Sequence, residues 1–257
     1  MLRAITFDCW GTLLDLKHTN ASQRIGYLCE RLPGQAPERV AQAYQESWVL
    51  FAQVESLGFS LPAAAMLSLT LDGLGTTLPP SDQTGIVRYW EEIVLCYPPP
   101  RLEGVPEALN ALRERGFSLA LISDTGMTPG RVMRRVLDQA ELLGFFSHCT
   151  FSNELGVTKR RPQAFTSTLA QLGVSPAEAL HVGDSPETDI RGAKAVGMRT
   201  ALLLQNNSQP EGIPLADLVL EKISELPGAL RAFEVSTNGP PPSRRCSEHI
   251  PDYGGFP

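Results

Sequence analysis

Short apolar runs that end in polar or glycine-rich turns are the dominant pattern of this chain. The first run covers residues 4–7 and ends at Asp8, after which a Gly-Thr turn follows. Further runs cover residues 117–122, 149–151, 179–184, 200–204 and 217–220. Aliphatic runs of this length, bounded by turn residues, predict buried β-strands.

Helical patterns separate these predicted strands. A helix is predicted over residues 105–115 with Gly116 after it, another from Pro162 to the neighbourhood of Gly173, and a third over residues 187–196. Strands that alternate with helices and are almost wholly apolar are typical of a parallel sheet covered on both faces. The pattern therefore predicts an α/β fold.

Residues 16–98 lack strong strand signals and carry helical periodicity instead. Within residues 37–57, the apolar positions that suit one helical face are Val40, Tyr44, Trp48, Phe51 and Val54. We expect a helical domain at residues 16–98, inserted into an α/β core made of residues 1–15 and 99–234. Residues 235–257 have no apolar periodicity and are rich in Gly, Pro and Ser, which predicts a disordered tail.

Composition and charge exclude several classes of function. The 257 residues are 42% hydrophobic, enough for a sizeable core, and carry a net charge of −6, which argues against a nucleic-acid binder held by phosphate contacts. Five cysteines without a C-x-x-C pair predict a reduced, cytoplasmic protein. We see neither a signal-peptide pattern nor an apolar run long enough to span a membrane, and so expect no membrane partner. The oligomeric state stays open.

The polar residues at the predicted strand ends carry the candidate chemistry. Asp8, Ser123 and Asp184 each follow or close an apolar run, and Lys159 lies in the loop between the third strand and its helix. Ligands of open parallel sheets bind outside the carboxyl ends of the strands, so these four side chains are expected to converge. Two carboxylates, a hydroxyl and an ammonium suit a phosphate group and a magnesium ion.

These four residues lie in stretches that resemble, in order, the four motifs of the haloacid dehalogenase-like (HAD) hydrolases. The stretches are Phe-Asp-Cys-Trp-Gly-Thr-Leu at residues 7–13, Leu-Ala-Leu-Ile-Ser-Asp-Thr-Gly at 119–126, Ser-Asn-Glu-Leu-Gly-Val-Thr-Lys at 152–159, and His-Val-Gly-Asp-Ser-Pro-Glu-Thr-Asp-Ile at 181–190. Each motif alone is weak, but the ordered set is specific. The resemblance implies a three-layer, Rossmann-like parallel sheet with an α-helical cap between the first and second motifs, as in subfamily I.

The resemblance also implies residue roles. Asp8 would be the nucleophile that forms an aspartyl-phosphate, with Lys159 and Ser123 as the other catalytic residues. The implied substrate-binding residues are Gly11, Thr12, Ser123, Asp124 and Lys159. The implied Mg²⁺ ligands are Asp8, the backbone carbonyl of Trp10, and Asp184, with Asp189 in support. The implied function is a Mg²⁺-dependent phosphatase for a small phosphorylated metabolite.

The chain departs from the family pattern at Trp10, where phosphatases carry a second aspartate that protonates the leaving group. An indole cannot exchange a proton at useful pH, and loss of a general acid typically slows a reaction by about 10²–10⁴-fold. One interpretation is a phosphatase whose substrate has a good leaving group, or whose proton comes from Glu154, Asp124 or a cap residue. A second departure is Arg160, which stands where family members commonly have proline and is a candidate to share the role of Lys159.

Three other interpretations follow from Trp10. A 2-haloacid dehalogenase needs no proton for its leaving halide, but such enzymes use no Mg²⁺ and depart from the Gly-Asp of the fourth motif, which is intact here. A phosphonatase-like enzyme needs a Schiff-base lysine from the cap, and the only lysine in residues 1–98 is Lys17. A non-catalytic binding or regulatory protein on the same scaffold is the last alternative.

Overall fold

The computed structural model describes residues 1–15, 20–206 and 209–238, and its centre is a six-stranded sheet. All neighbouring strands are parallel, and their order is β3-β2-β1-β4-β5-β6. The strands are β1 (Ala4–Phe7), β2 (Ser118–Ser123), β3 (His148–Phe151), β4 (Ala179–Gly183), β5 (Arg199–Leu203) and β6 (Leu218–Leu220). The predicted α/β fold with a parallel sheet is confirmed.

Ten α-helices accompany the sheet in the described ranges. They are α1 (Ala21–Arg31), α2 (Pro37–Ser56), α3 (Ala63–Leu74), α4 (Pro80–Glu92), α5 (Val105–Glu114), α6 (Gly130–Gln139), α7 (Ser152–Leu155), α8 (Pro162–Leu172), α9 (Arg191–Ala195) and α10 (Leu226–Asn238). Short 3₁₀ segments lie at Ile93–Leu95, Leu143–Phe145, Pro176–Glu178, Pro210–Leu215 and Ile223–Glu225. Among the helices of these ranges, none combines the length and the apolarity that a membrane crossing requires.

Side-chain alternation along β1 explains why the core has three layers. Ile5 and Phe7 pack into a cluster with residues of α5, α6 and α10, whereas Ala4 packs with residues of α8 and α9 on the opposite face. Both faces of the sheet are therefore covered, and a strand buried on both faces must be apolar along its length. Polar residues are accommodated where a strand ends.

The four helices α1–α4 follow β1 and precede β2 in the chain, and they enclose a separate hydrophobic cluster. Leu28, Val40, Phe51 and Trp90 are buried in it. The predicted apolar face of α2 is correct for Val40, Tyr44 and Phe51, but Trp48 is 42% exposed. Trp48 lies at the rim of the buried stripe rather than at its centre, which leaves one side of the indole for solvent. We call residues 20–95 of the structure the helical insert.

Two regions differ from the sequence prediction. The predicted helix over residues 187–196 is instead a single π-helical turn, Pro186–Ile190, followed by the short helix α9. The backbone N–H groups of Asp189 and Ile190 both donate to the Ser185 carbonyl, at 3.0 and 3.2 Å, which widens this turn. At the other end, α10 continues to Asn238, so residues 235–238 of the predicted tail are helical, and residues 239–257 lie outside the described residues.

Candidate active site

Three neighbouring strands deliver polar residues to one edge of the sheet. β1 lies between β2 and β4, so Asp8 after β1, Ser123 at the end of β2 and Asp184 after β4 are adjacent in space. The Asp8 backbone N–H donates to the Val182 carbonyl at 2.9 Å, which extends the register of the sheet to the aspartate itself. All three residues are buried. The sequence predicted this convergence.

The turn after Asp8 brings Gly11 against Asp184. Gly11 has a φ of 84°, in the region that favours glycine, and an added Cβ would lie 2.5 Å from the Asp184 Oδ2 atom. The glycine thus permits both the turn and the close approach of the two motifs. The next residue, Thr12, is fully buried, and its hydroxyl has no hydrogen-bond partner within the described part of the chain.

Lys159 joins two aspartates at the centre of the site. Its ammonium group contacts Asp8 Oδ1 and lies 2.6 Å from Asp189 Oδ1, and all three side chains are at most 5% exposed. Arg160, the candidate to share the role of Lys159, is exposed. Lys17, which the phosphonatase-like interpretation requires, lies outside the described residues.

Asp189 is held by a chain of buried polar groups. Its Oδ2 atom accepts the Ser185 N–H at 2.9 Å, and its Oδ1 atom lies 3.2 Å from His181 Nε2. His181 Nδ1 in turn lies 2.8 Å from the Thr6 hydroxyl, its register partner on β1. Sequence reasoning missed this Thr6–His181 pair. The sequence does show Thr6 and His181 as polar residues inside otherwise apolar strands. Only the order of the strands in the sheet shows that the two residues are neighbours.

The electrostatics of this cluster favour a divalent cation. Carboxylate oxygens of Asp8, Asp184 and Asp189 lie within 4.8 Å of one another, and Lys159 neutralises one of their three charges. Burial, together with the charges of Asp189 and Asp184, raises the pKa of Asp8 well above its usual range although Lys159 opposes this. Three buried carboxylates that converge in this way offer the hard oxygen ligands that suit a magnesium ion, and the charge of such an ion would favour the ionised form of Asp8.

The Lys159–Asp189 contact raises the pKa of the lysine and lowers the pKa of the aspartate, so that both groups are charged. Burial alone would lower the pKa of Lys159, but the charges of Asp189 and Asp8 outweigh burial and raise it. Burial also opposes ionisation of Asp189, yet Lys159 and the His181 hydrogen bond lower its pKa. Asp189 is therefore an anion that fixes the lysine, while Asp8 depends on further positive charge to remain ionised.

The second and third motifs meet beside this cluster. The Lys159 backbone N–H donates to Asp124 Oδ1 at 3.0 Å, and the Thr125 N–H donates to the Ser152 hydroxyl at 2.9 Å. The Ser123 hydroxyl contacts only the Asp124 carbonyl, at 3.4 Å, among the hydrogen bonds of the described residues. The predicted residues Ser123 and Asp124 thus lie at the same edge as the aspartates.

A cleft between the helical insert and the core opens next to Asp124. Its cavity of about 320 Å³ is lined by Trp10 and Asp124 from the core and by Trp48 and Glu55 from α2. A larger cavity of about 730 Å³ lies between α3, α4 and Arg131, away from the aspartates. The smaller cleft is the one beside the site, because Trp10 lies two residues after Asp8 and Asp124 accepts the Lys159 N–H.

Comparison with known proteins agrees with this geometry. The family model described as haloacid dehalogenase-like hydrolase matches residues 2–197. A phosphoserine phosphatase from Thermus thermophilus is 39% identical over 41% of this chain and 42% of its own length. A glyceraldehyde 3-phosphate phosphatase from Methanopyrus kandleri is 32% identical over 55% of this chain and 59% of its own. The chain thus spans about half the length of these curated relatives.

Two solved structures share the fold over nearly the whole chain. A HAD phosphatase from Thermococcus onnurineus has a TM-score of 0.67 at 23% identity, covering 89% of this chain and 98% of the other. A 2-haloacid dehalogenase from Pseudomonas syringae also has a TM-score of 0.67, at 22% identity, covering 91% of this chain and all of the other. At this identity the likeness shows the fold alone. Because the family model spans both the sheet edge and the insert, the chain belongs to the haloacid dehalogenase-like hydrolases.

Proposed function

We propose that this hydrolase is a Mg²⁺-dependent phosphatase that acts on a small phosphorylated metabolite through an aspartyl-phosphate on Asp8. The observation that carries the proposal is the buried contact of Lys159 with Asp8, beside Asp184 at the adjoining strand end. A buried carboxylate beside a cation is placed to attack an electrophile that carries negative charge. Two of the curated relatives are named as phosphatases of small phosphorylated molecules, which supports the same substrate class.

The reaction begins with attack of an Asp8 carboxylate oxygen on phosphorus. The bond from phosphorus to the leaving oxygen breaks, and a water molecule then hydrolyses the aspartyl-phosphate to regenerate Asp8. Lys159 keeps Asp8 in place and offsets charge on the phosphoryl group. The Ser123 and Thr12 hydroxyls, the Gly11 turn and Asp124 would bind the phosphate oxygens.

The metal site follows from the same residues. Asp8, Asp184 and the backbone carbonyl of Trp10 would hold Mg²⁺, with Asp189 in support because it already pairs with Lys159. The ion would supply positive charge that favours the ionised form of Asp8 and stabilises the phosphoryl oxygens. We propose that the helical insert is the cap, and that its closure over the cleft excludes water.

A 2-haloacid dehalogenase is the second candidate. A halide leaves without a proton, so such an enzyme would tolerate Trp10 in the place of the second aspartate. The structure weighs against it through Asp184, a buried carboxylate that adds negative charge next to a nucleophilic aspartate. Without a cation in addition to Lys159, this charge disfavours the ionised form of Asp8. Metal-free release of chloride from 2-chloropropionate would favour the dehalogenase over the phosphatase.

The direct test uses p-nitrophenyl phosphate, whose leaving group needs little protonation. We expect hydrolysis that requires Mg²⁺, stops on addition of EDTA, and falls by about 10⁴-fold or more in Asp8→Asn, since the nucleophile is removed. Asp138→Asn, a change at an exposed aspartate of α6, is the matched control and should keep full activity. Undiminished turnover in Asp8→Asn would refute the mechanism, and no turnover across a panel of phosphates would favour a binding protein.

A further inference from the structure

Glu55 of the helical insert has an incompletely satisfied carboxyl group at the cleft. Its Oε1 atom is shielded from solvent and has no hydrogen-bond partner among the residues that the structure describes. A buried polar atom without a partner is unfavourable for folding and calls for an explanation in function. We propose that Glu55 is the proton donor for the leaving group, in the place of the carboxylate that Trp10 lacks. This inference rests on the proposed phosphatase function.

The helix α2 directs Glu55 towards the reaction site. Trp48 and Glu55 are seven residues apart, so they lie on the same face of the helix. Both line the cleft whose opposite wall contains Trp10 and Asp124. A second cavity of about 210 Å³ joins Glu55 to Asp124, Thr158 and Arg160. The carboxyl group thus reaches the cleft from the insert, opposite the backbone segment where the usual second aspartate would be.

Hydrogen bonds fix the end of α2 to the loop that carries Lys159. The Thr158 hydroxyl donates to the Glu55 carbonyl at 3.3 Å, and the Thr158 N–H donates to the Gly58 carbonyl at 3.1 Å. The Ser60 N–H donates to the Gly156 carbonyl at 3.2 Å, and Arg161 donates to the Leu57 carbonyl at 2.8 Å. These contacts place the C-terminal turn of α2, and with it the Glu55 backbone, beside the loop that carries Lys159.

The charges around Glu55 suit a general acid near neutral pH. Burial, followed by the charge of Asp124, raises the pKa of Glu55 from 4.5 to about 7. The cations that line its cavities are Arg24 of α1, whose Nε atom donates to the Trp90 carbonyl at 3.0 Å, and the exposed Arg160. A carboxyl group with such a pKa is protonated in a substantial fraction of molecules at pH 7.

The other two candidates from the sequence are already engaged. Glu154 pairs with Arg134 through two oxygen atoms, one at 2.9 Å, on the exposed side of α7. Asp124 accepts the Lys159 N–H and supports the lysine loop. Glu55 differs from both because its Oε1 atom is shielded at the cleft and has no hydrogen-bond partner among the described residues.

Glu55 acts as an acid in the first half of the reaction and as a base in the second. As Asp8 attacks phosphorus and the phosphorus–oxygen bond of the ester breaks, the Glu55 proton goes to the leaving oxygen, which departs as an alcohol. The Glu55 carboxylate then takes a proton from the water that attacks the aspartyl-phosphate. Phosphate leaves, and both Asp8 and protonated Glu55 are regenerated.

The test compares Glu55→Gln with the wild-type protein on two phosphate esters. Glycerol phosphate has an alkoxide leaving group, whereas p-nitrophenyl phosphate has a phenolate leaving group. We expect kcat/KM to fall by about 10²-fold or more on glycerol phosphate and within about threefold on p-nitrophenyl phosphate, because only the alkoxide needs a proton. The fall in rate on glycerol phosphate above pH 7 should disappear in the variant. Glu46→Gln, an exposed position on the same helix, is the control and should change neither rate.

Trp10→Asp added to Glu55→Gln should restore hydrolysis of glycerol phosphate.

The outcomes separate this inference from the proposed function. Equal losses on both esters, or an unchanged pH profile, would overturn the role of Glu55 while Asp8-dependent hydrolysis of p-nitrophenyl phosphate stands. A wild-type protein that hydrolyses only p-nitrophenyl phosphate would also overturn it. A wild-type protein inactive on both esters would overturn the phosphatase function and, with it, this inference.

Discussion

The edge of the sheet and the helical insert hold their polar groups in different ways. At the edge, Asp8, Lys159, Asp189, His181 and Thr6 form one buried chain in which each member contacts the next. In the insert, four helices pack around their own apolar cluster and meet the core through a limited set of contacts. These contacts include the end of α2 and the pairing of Arg131 with Glu91 and Glu92.

This difference indicates a division of labour. Charges that must stay in fixed positions are built into the sheet, where neighbouring strands set their distances. Groups that must approach and leave the substrate are carried by the insert, where fewer contacts oppose movement. Changes at the sheet edge should therefore abolish activity and destabilise the fold, whereas changes in the insert should discriminate between substrates or pH values.

The largest effect is expected from Lys159→Met, which removes the buried cation that contacts both Asp8 and Asp189. Activity on p-nitrophenyl phosphate should fall by about 10³-fold, since charge stabilisation of the transferring group is lost. In metal-free buffer, the free energy of unfolding should fall by about 3–5 kcal/mol, because buried carboxylates are left uncompensated. Steady-state kinetics and urea unfolding measure the two effects.

Lys194→Met is the matched control for that change. Lys194 lies 3.2 Å from Asp217 in an ion pair whose lysine side chain is 39% exposed. Exposed pairs of this kind contribute at most about 1 kcal/mol, so the control should remain stable and active. If the two lysine variants unfolded alike, the contrast between the buried edge and the rest of the molecule would be contradicted.

An intermediate effect is expected from Gly183→Ala at the sheet edge. An added Cβ at Gly183 would overlap the Asp189 carboxyl group, which is fully buried and is held by Lys159 and the Ser185 N–H. The unfolding free energy should fall by about 1–3 kcal/mol, and activity should fall with it as Asp189 shifts away from Lys159. Thermal unfolding and the kinetics of p-nitrophenyl phosphate hydrolysis report both.

The same substitution in the insert should have the opposite sign. Gly85 lies within α4, and an added Cβ there would meet no atom within 4 Å in the described structure. Gly85→Ala should stabilise the protein by about 0.5–1 kcal/mol, because alanine favours a helix interior. Destabilisation by Gly85→Ala, or tolerance of Gly183→Ala, would show that the two regions do not differ in packing as described.

Much of the sheet edge was predictable from the sequence because its pattern is local. Strand ends that terminate in Asp8, Ser123 and Asp184 are visible as apolar runs that stop at polar residues. The order of the motifs then predicts that they meet, and β1 does lie between β2 and β4. The His181–Asp189 contact was not predictable in the same way, because it depends on a π-helical turn that returns Asp189 to the end of β4.

The insert was predictable only as helices. The spacing in residues 37–57 predicts an amphipathic helix, but a glutamate at the rim of its apolar stripe looks like any solvated residue. Glu55 acquires its environment from Asp124 and Thr158, which lie far along the chain. Such contacts between an insert and a core depend on tertiary docking, and no local pattern encodes them.

The last effect is expected from pH, and the variant Glu55→Gln reveals it in protein stability rather than in activity. The pKa of Glu55 is raised on folding from 4.5 to about 7, so the folded state binds more protons than the unfolded state between these values. Wild-type stability should consequently decline relative to Glu55→Gln as pH rises from about 4.5 to 7, and the difference should then stay constant. Because the residue is only partly buried, we expect a change of about 1–2 kcal/mol between pH 5 and pH 8.

Urea unfolding of both proteins at the two pH values measures this change in stability, and the control Glu46→Gln is expected to show no such pH dependence. A stability difference that did not vary with pH would mean that folding leaves the pKa of Glu55 unchanged. The Glu55 carboxyl group would then be in contact with water, unlike the buried carboxylates of the sheet edge.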